Sequence, residues 1–366
     1  MTPNQLAWRK YRRNLPAMLG LVYVGLCLLL ALLGYWVVPD YTRNANFQAL
    51  ELAKLGPGSE GHMLLLPLPG VEADPSIGER WLGAEQPYLP IVLRDTSSLA
   101  IEGEYVSYTA LSGADGRKRL AEFGVEGSIS KTNFLAAYAS VRRYWLGTDN
   151  YGRDLLSRIL LGTRISLSIG IMSVLISLLI GIVLGTLAGY FGGWVDSVIM
   201  WLVSVMWSIP TLLLALAIVF VLEKGFWQLF LAIGVSMWVE VARIVRGQML
   251  SVREQAFAEA AGALGFKHPR IMFRHVLPNV LSPIIVVAVA NFGSAVLIES
   301  GLSFLGIGVE VPIPTWGRMI YEGYTYIVFE NGKWLAFFPG LALILLVVSI
   351  NLIGIGLRDA LDVKLN

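Results

Sequence analysis

The sequence is poor in cysteine, histidine and charge. Cys27 stands alone in an apolar run, which excludes an internal disulfide framework and any cysteine-cluster metal site. The only histidines are His62, His268 and His275, so a zinc enzyme is not expected. Charged residues make up 15% of the 366, against roughly 25% in ordinary soluble domains. With 28 basic and 26 acidic side chains the formal charge is +2, too balanced for a nucleic-acid surface or an acidic tail. Long charge runs are scarce and aromatic residues reach 11%, which excludes low-complexity disorder. What is abundant is apolar: 55% of residues are hydrophobic and the mean hydropathy is +0.64. These values define a membrane protein.

A helical span needs roughly 20 mostly apolar residues, because every backbone amide in hydrocarbon must be bonded within the segment. Six stretches qualify: 16–38, 165–191, 197–222, 226–245, 280–298 and 334–357. The first follows Arg9, Lys10, Arg12 and Arg13, as a secretory signal would. It is longer than a signal's apolar core of about 7–15 residues and ends in Trp36-Val37-Val38-Pro39 without a small-x-small site, so it is expected to be a retained anchor.

Those basic residues, and Arg243, Arg246, Arg253, Lys267, Arg270 and Arg274 between the fourth and fifth spans, place residues 1–15, the 251–278 loop and both termini in the cytoplasm by the positive-inside rule. The connector at Glu223 and Lys224 and that of 299–333 then lie outside. So does the insert 39–144, ahead of a core spanning 145–366. This insert is punctuated by Gly56, Pro57, Gly58, Pro67, Pro69, Gly70, Pro75, Pro87 and Pro90, with short runs at Ile91-Val92-Leu93 and Tyr105-Val106-Ser107-Tyr108. The pattern predicts a small strand-and-turn subdomain.

The spans themselves carry almost no ionisable groups, which secondary transporters place near the midplane. Within those limits the exceptions are Glu240 and Arg243, at a spacing that suits an intrahelical pair. A phosphate-cradling loop is also absent: Gly332-Lys333 is followed by Trp334 and lacks the preceding glycine. Energy for active transport must come from another polypeptide.

The loop from Ser251 is the place for such a polypeptide to dock. Ser251 and Glu254 have capping-box spacing, and Ala256, Phe257, Ala260, Ala261 and Leu264 share one helical face. Gly265 supplies a stop, and Pro269 opens a second helix carrying Ile271, Met272, Phe273 and Val276, before Leu277-Pro278 turns the chain into the fifth span. Amphipathicity alone also fits a helix lying on lipid.

Glu259-Ala260-Ala261, Gly265 and Leu277-Pro278 resemble the EAA loop of ABC importer permeases, whose coupling helix enters a groove of the nucleotide-binding subunit. Where many such permeases have Ile, this chain has His275, and Arg274-His275-Val276-Leu277-Pro278-Asn279 is similar to the dipeptide and oligopeptide version. Leu146-Gly147-Thr148-Asp149-Asn150-Tyr151-Gly152-Arg153-Asp154-Leu155-Leu156-Ser157-Arg158 resembles the signature before the membrane core of the second permease subunit of dipeptide, oligopeptide and nickel importers. Ser303-Phe304-Leu305-Gly306-Ile307-Gly308, with Pro312, Pro314, Trp316 and Gly317, resembles that subunit's external loop. The insert matches nothing in the family pattern.

Some positions keep two readings. Thr148 or Asp149 can cap a helix and Asp154 can pair with Arg158, or the motif can serve a substrate gate. The 303–308 run fits gate architecture more than direct ligand binding. Ser208-Ile209-Pro210 lies where proline can kink the third span. Asn291 and Asn351 suit interhelical hydrogen bonds, and Gly181, Gly185 and Gly189 suit close packing, within the chain or against a second permease.

The resemblance implies an all-α polytopic protein with six transmembrane helices of type I, MetI-like permease architecture, interrupted by the insert between helices 1 and 2. It implies a non-catalytic inner-membrane subunit for peptide-type cargo: dipeptides, oligopeptides, nickel chelates, glutathione or antimicrobial peptides. Its partners would be a homologous permease, two ATPases that hold ATP and Mg, an extracytoplasmic solute-binding protein and membrane lipid. This chain itself would need no cofactor or metal. Coupling residues would be Phe257, Glu259, Ala260, Ala261, Gly265, Arg274, His275, Leu277 and Pro278; pathway candidates are Ser208, Pro210, Asn291, Glu299 and Phe304. A receptor or scaffold whose insert binds a ligand without transport is the other reading of the same layout.

Overall fold

The computed structural model describes residues 3–71, 75–125, 127–223, 225–257, 260, 264–328 and 332–361. The chain divides into two compact units: one of Met1–Leu28, Ser166–Glu310 and Leu343–Asn366, the other of Leu29–Ile165 and Val311–Ala342.

The first unit is helical. It contains α1 (Pro3–Arg13), most of α2 (Leu15–Leu33), most of α5 (Leu155–Phe191), then α6 (Gly193–Trp207), α7 (Thr211–Leu222), α8 (Phe226–Arg253), α9 (Leu281–Phe304) and the later part of α11 (Trp334–Leu361). Among the described residues five helices are long and apolar enough to cross a membrane, and α6 with α7 makes a sixth if a bent pair is one span. At Ser208-Ile209-Pro210, where proline can kink the third span, the chain forms two helices at 92°, broken over residues 208–210. Pro210 has no N–H to continue the ladder, and the residue before a proline is biased away from helix.

Glycines set the closest helix contacts. A Cβ on Gly181 would stand 2.5 Å from Val241 Cβ, on Gly185 2.5 Å from Ala242 O, and on Gly189 2.5 Å from Met249 Cβ. The stripe therefore packs within the chain, along α8. Likewise a Cβ on Gly20 of α2 would be 2.6 Å from Ser349 O of α11.

The second unit holds the insert and the segment before α11. Strands β1 (Ser59–Pro67), β2 (Tyr88–Leu93) and β6 (Ala139–Tyr144) form an antiparallel sheet in the order β2-β1-β6. β3 (Ala100–Glu102), β4 (Tyr105–Thr109) and β5 (Asp115–Arg119) form a second. The runs Ile91-Val92-Leu93 and Tyr105–Tyr108 lie on β2 and β4. Central β1 is apolar on both sides, and its two-residue period sorts its side chains. Leu64 joins Leu93, Leu99, Val106, Leu120, Phe123 and Phe134, while Met63 joins Phe47, Leu52, Val92 and Tyr144. Short α3 (Glu79–Leu82), α4 (Lys131–Tyr138) and α10 (Trp316–Tyr324) complete this unit.

Candidate functional site

Three places bring the candidate residues into definite surroundings: the elbow after α8, the polar face of α9, and the 147–158 motif.

At the elbow, α8 continues through Ser251 to Arg253, so Ser251 sits inside the helix and does not cap the next one. The aliphatic face of α8 continues to Val252, buried with Val241, Val245 and Met249, and that packing extends the helix past the expected cap. Phe257 and Leu264 are exposed apolar side chains, Ala260 is exposed, and Gly265 turns the chain at φ +76°. Glu259 and Ala261 lie outside the described residues, as does the side chain of His275.

The return leg starts at His268–Arg270, with Pro269 in its first turn, widens to a π turn over Ile271–Val276, tightens to a 3-10 turn over Leu277–Val280 and runs into α9. Leu277-Pro278 thus changes the helix's pitch; it does not turn the chain, because a proline at the front of a helical turn gives up only an amide that has no partner there. Ile271, Val276 and Val280 bury against Val241, Val245, Met249, Val252 and Ile284, with half-buried Leu277 alongside. Arg274 and Pro278 face outward.

Polar ties fix the same base. Arg253 Nη1 donates to the carbonyls of Gly189 (3.0 Å) and Tyr190 (3.1 Å), capping the negative end of α5. Tyr190 Oη meets His268 Nδ1 at 2.8 Å. Arg246 donates Nε to Asp196 Oδ1 at 2.5 Å and Nη2 to Oδ2 at 2.6 Å, a two-point ion pair between α8 and α6. Glu240 and Arg243 do not pair among the described residues; the Arg243 guanidinium lies 3.7 Å from the Trp207 ring centroid instead. An exposed ion pair is worth only about 0–1 kcal/mol, so a cation–π contact of about 0.5–1 kcal/mol competes with it.

On α9, Asn291, Ala295, Glu299 and Ser303 repeat every fourth residue and are all buried. The helix runs to Phe304, past the expected limit at 298, so Glu299 is an acid inside an apolar helix rather than in a connector. Ser303 Oγ donates to Glu299 Oε1 at 2.7 Å and Ser300 Oγ to Oε2 at 3.4 Å. The Asn291 Nδ2 is buried without a hydrogen-bond partner among the described residues, a costly arrangement at membrane depth. Asn351, expected to bond across helices, donates to Val347 O of its own helix at 3.0 Å.

The run after α9 is a helix stop. Ile307 N donates to Leu302 O (2.9 Å) and Gly306 N to Ser303 O (3.0 Å), with Gly306 at φ +77°: a Schellman cap. Gly308 lies against Ser303, where any Cβ would collide. Phe304 is exposed at this end. At the α6–α7 break Ser208 Oγ donates back to Val205 O at 2.7 Å, and Pro210 precedes α7. Leu212 of α7 faces Gly301 of α9, 3.3 Å from the position of a Cβ there.

The 147–158 motif builds a buried polar knot. Gly147 and Gly152 have φ +85° and +71°, and a Cβ on either would strike the backbone at Leu55 or Ala49. Thr148 Oγ1 accepts from Leu55 N (2.8 Å) and donates to Leu52 O (2.5 Å), so it fastens the insert and caps no helix. Asp149 Oδ1 accepts from the amides of Tyr151 (2.8 Å) and Arg153 (3.0 Å), and its Oδ2 from Arg153 Nε (2.6 Å).

Arg153 also reaches Asn46 Oδ1 (3.1 Å) and Glu322 Oε2 on α10 (3.4 Å). Arg158 pairs with Asp149, Nε to Oδ2 at 3.3 Å, though Nε is not aligned to donate. The expected Asp154–Arg158 pair does not form: Asp154 caps α5, accepting from the amide and hydroxyl of Ser157. Its burial raises the carboxyl above its ordinary value. Trp316 Nε1 donates to Ile159 O (3.0 Å) over Gly162.

Sequence reading missed Asn46 and Glu322, which have no periodic or spacing signal and meet the motif only through the fold.

Hydrophobic helices of spanning length, a broken apolar pair and a folded insert define a polytopic membrane protein. The binding-protein-dependent transport system inner membrane component family matches residues 181–366, and the N-terminal TM domain of oligopeptide transport permease C matches residues 2–57. The chain belongs to the first of these families and is a permease component of an ABC importer.

It is 42% identical to the dipeptide transport system permease protein DppC of Alkalihalophilus pseudofirmus over 222 residues, 61% of this chain and 72% of the relative. It is 43% identical to the glutathione transport system permease protein GsiD of Pectobacterium atrosepticum, over 61% of this chain and 73% of that one. With the oligopeptide transport system permease protein OppC of Bacillus subtilis the identity is 37%, over 64% and 77%. Among solved structures, an inward-facing MetNI methionine ABC transporter chain aligns with TM-score 0.46 and 19% identity, covering 56% of this chain and 96% of that one.

Proposed function

We infer that the chain is one of two permeases lining the path of an importer for short peptides or peptide-like thiols, in the inner membrane with both termini and the elbow in the cytoplasm and the insert outside. The names of the relatives, for dipeptides, oligopeptides and glutathione, support that cargo class. A second, homologous permease completes the path. A solute-binding protein delivers cargo to the outer face, and two cytoplasmic ATPases carrying ATP and Mg supply the work. The chain makes no bond and breaks none.

The observation that carries the coupling role is the elbow's construction. Its tip offers exposed Phe257 and Leu264, while its base is locked to α8 by buried Ile271, Val276 and Val280 and to α5 by Arg253. A push on the tip is therefore delivered to α8, and through the unbroken helical leg to α9, instead of being absorbed in a slack loop. Closure of the ATPases can shift the path between inward- and outward-open only by binding one form more tightly. The Glu299 face of α9, the α6–α7 break and Phe304 are the pathway elements such a tilt would move.

Co-purification tests this. The ATPase subunits should accompany the wild-type chain and be lost with Ala261→Asp or Gly265→Asp while membrane insertion is unchanged; undiminished association with both variants would remove the elbow from the coupling role.

A further inference from the structure

We propose that α3 and the residues around it form a foot resting in the polar–apolar boundary of the bilayer, beside the end of α2. Its occupant is lipid.

Within six residues this segment exposes Ile77 (74%), Trp81 (43%) and Leu82 (71%). Three large apolar side chains turned outward on so short a stretch are unusual for a water-facing loop. Their position is fixed rather than flexible. Ser76 donates its amide and hydroxyl to Glu79 Oε2, both at 2.8 Å, closing the turn into α3. Gly83, at φ +88°, lets the chain lie directly on Arg43 Cα and the Tyr35 ring. Arg43 N donates to Ala84 O (2.8 Å) and Ala84 N to Tyr41 O (3.1 Å), stitching the far side to the strand of chain that leaves α2. Arg164 Nη1 donates to Trp81 O at 2.9 Å, tying the same turn to α5.

The level of this foot follows from α2. The apolar run Leu15–Trp36 has 22 residues, about 33 Å at ~1.5 Å per residue, which matches a hydrocarbon layer of ~30 Å. Its end is thus at a membrane surface, the depth at which tryptophan is favoured. Trp36 and Val37 are exposed there, and the Arg80 guanidinium lies 5.2 Å from the Trp36 ring centroid. Arg80 can keep its stem against apolar surface and its charge among phosphates. The exposed side chains of the foot therefore continue a surface that α2 already presents to lipid. This contact would brace the insert against the bilayer whatever solute is carried.

The test uses the full-length chain with Cys27→Ala and a single new cysteine, Ile77→Cys, Leu82→Cys or, as an aqueous reference in the β4–β5 turn, Ser112→Cys. Each is labelled with bimane and placed in nanodiscs of phosphatidylethanolamine and phosphatidylglycerol. Lipids spin-labelled near the top of the acyl chain should quench positions 77 and 82 several-fold more than position 112, and aqueous iodide should do the reverse. Iodide quenching at 77 and 82 equal to that at 112 overturns the proposal. So does protection that arises only when another membrane subunit or a soluble binding protein is added, which would make the foot a protein-docking face.

Discussion

Arg158, in the first turn of α5, reaches back to Asp149 and bypasses Asp154, its neighbour at helical spacing, with Nε 3.3 Å from Asp149 Oδ2. Both side chains are almost fully buried, and Arg153 shares the same carboxylate oxygen at 2.6 Å. Asp149→Ala would leave two buried guanidiniums with Glu322 and the more weakly interacting Asp40 as acidic neighbours. Breaking one partner of such a cluster costs about 3–5 kcal/mol, so the variant should show a strongly lowered thermal midpoint in detergent. A midpoint unchanged from wild type would mean the knot contributes nothing to stability.

Helix packing makes a sharper contrast. Gly185→Ala places a methyl 2.5 Å from the Ala242 carbonyl, whereas Gly247, in the interior of α8, has nothing within 4 Å of a Cβ. The first substitution should destabilise, at a cost of about 1–3 kcal/mol for overpacking; the second should be neutral or stabilise by up to ~1 kcal/mol through helix propensity. Thermal shift on the two purified variants checks this, and equal midpoints would contradict the close α5–α8 approach.

The Arg246–Asp196 pair is partly solvated, so its worth is modest. Arg246→Asp should destabilise the α6–α8 contact by about 1 kcal/mol or more, since it sets like charges face to face. The double exchange Arg246→Asp with Asp196→Arg should recover a good part of the loss. A double-mutant cycle without coupling energy would show that the two-point contact is energetically idle.

Asp154 predicts a pH dependence. Because burial raises its carboxyl in the folded state, the folded chain holds this proton more tightly than the unfolded chain. Its contribution to stability is therefore fully present below the ordinary carboxylate value of about 4 and declines as pH rises through the raised one. Asp154→Asn keeps an acceptor for the Ser157 amide and should flatten that part of the stability profile, measured as thermal midpoint against pH. An unchanged slope would mean that this carboxyl is not the source.

Much of the chain's plan is legible in local pattern. Apolar runs long enough to satisfy their own backbone in lipid mark the spanning helices, and the Ile271–Val276 periodicity marks the leg that packs on α8. Pairings are less legible. The fourfold spacing of Asp154 and Arg158 suggests a bond that Ser157 pre-empts, and Glu322, 173 residues beyond Asp149, has no local signal that it belongs to the same cluster. Ser251 has capping-box spacing, yet the buried face of α8 carries the helix through it.

The sequence by itself determined that the chain lives in a membrane and which transport family it joins, because hydrophobic length and short motifs are local properties written in consecutive residues. Tertiary structure decided that the glycine stripe of α5 meets α8, that Glu299 is enclosed on the buried face of α9, and that Asp149 holds two arginines. Each of these depends on which surfaces arrive together once the helices pack. A buried charge or a missing Cβ acquires its partner only from that arrival.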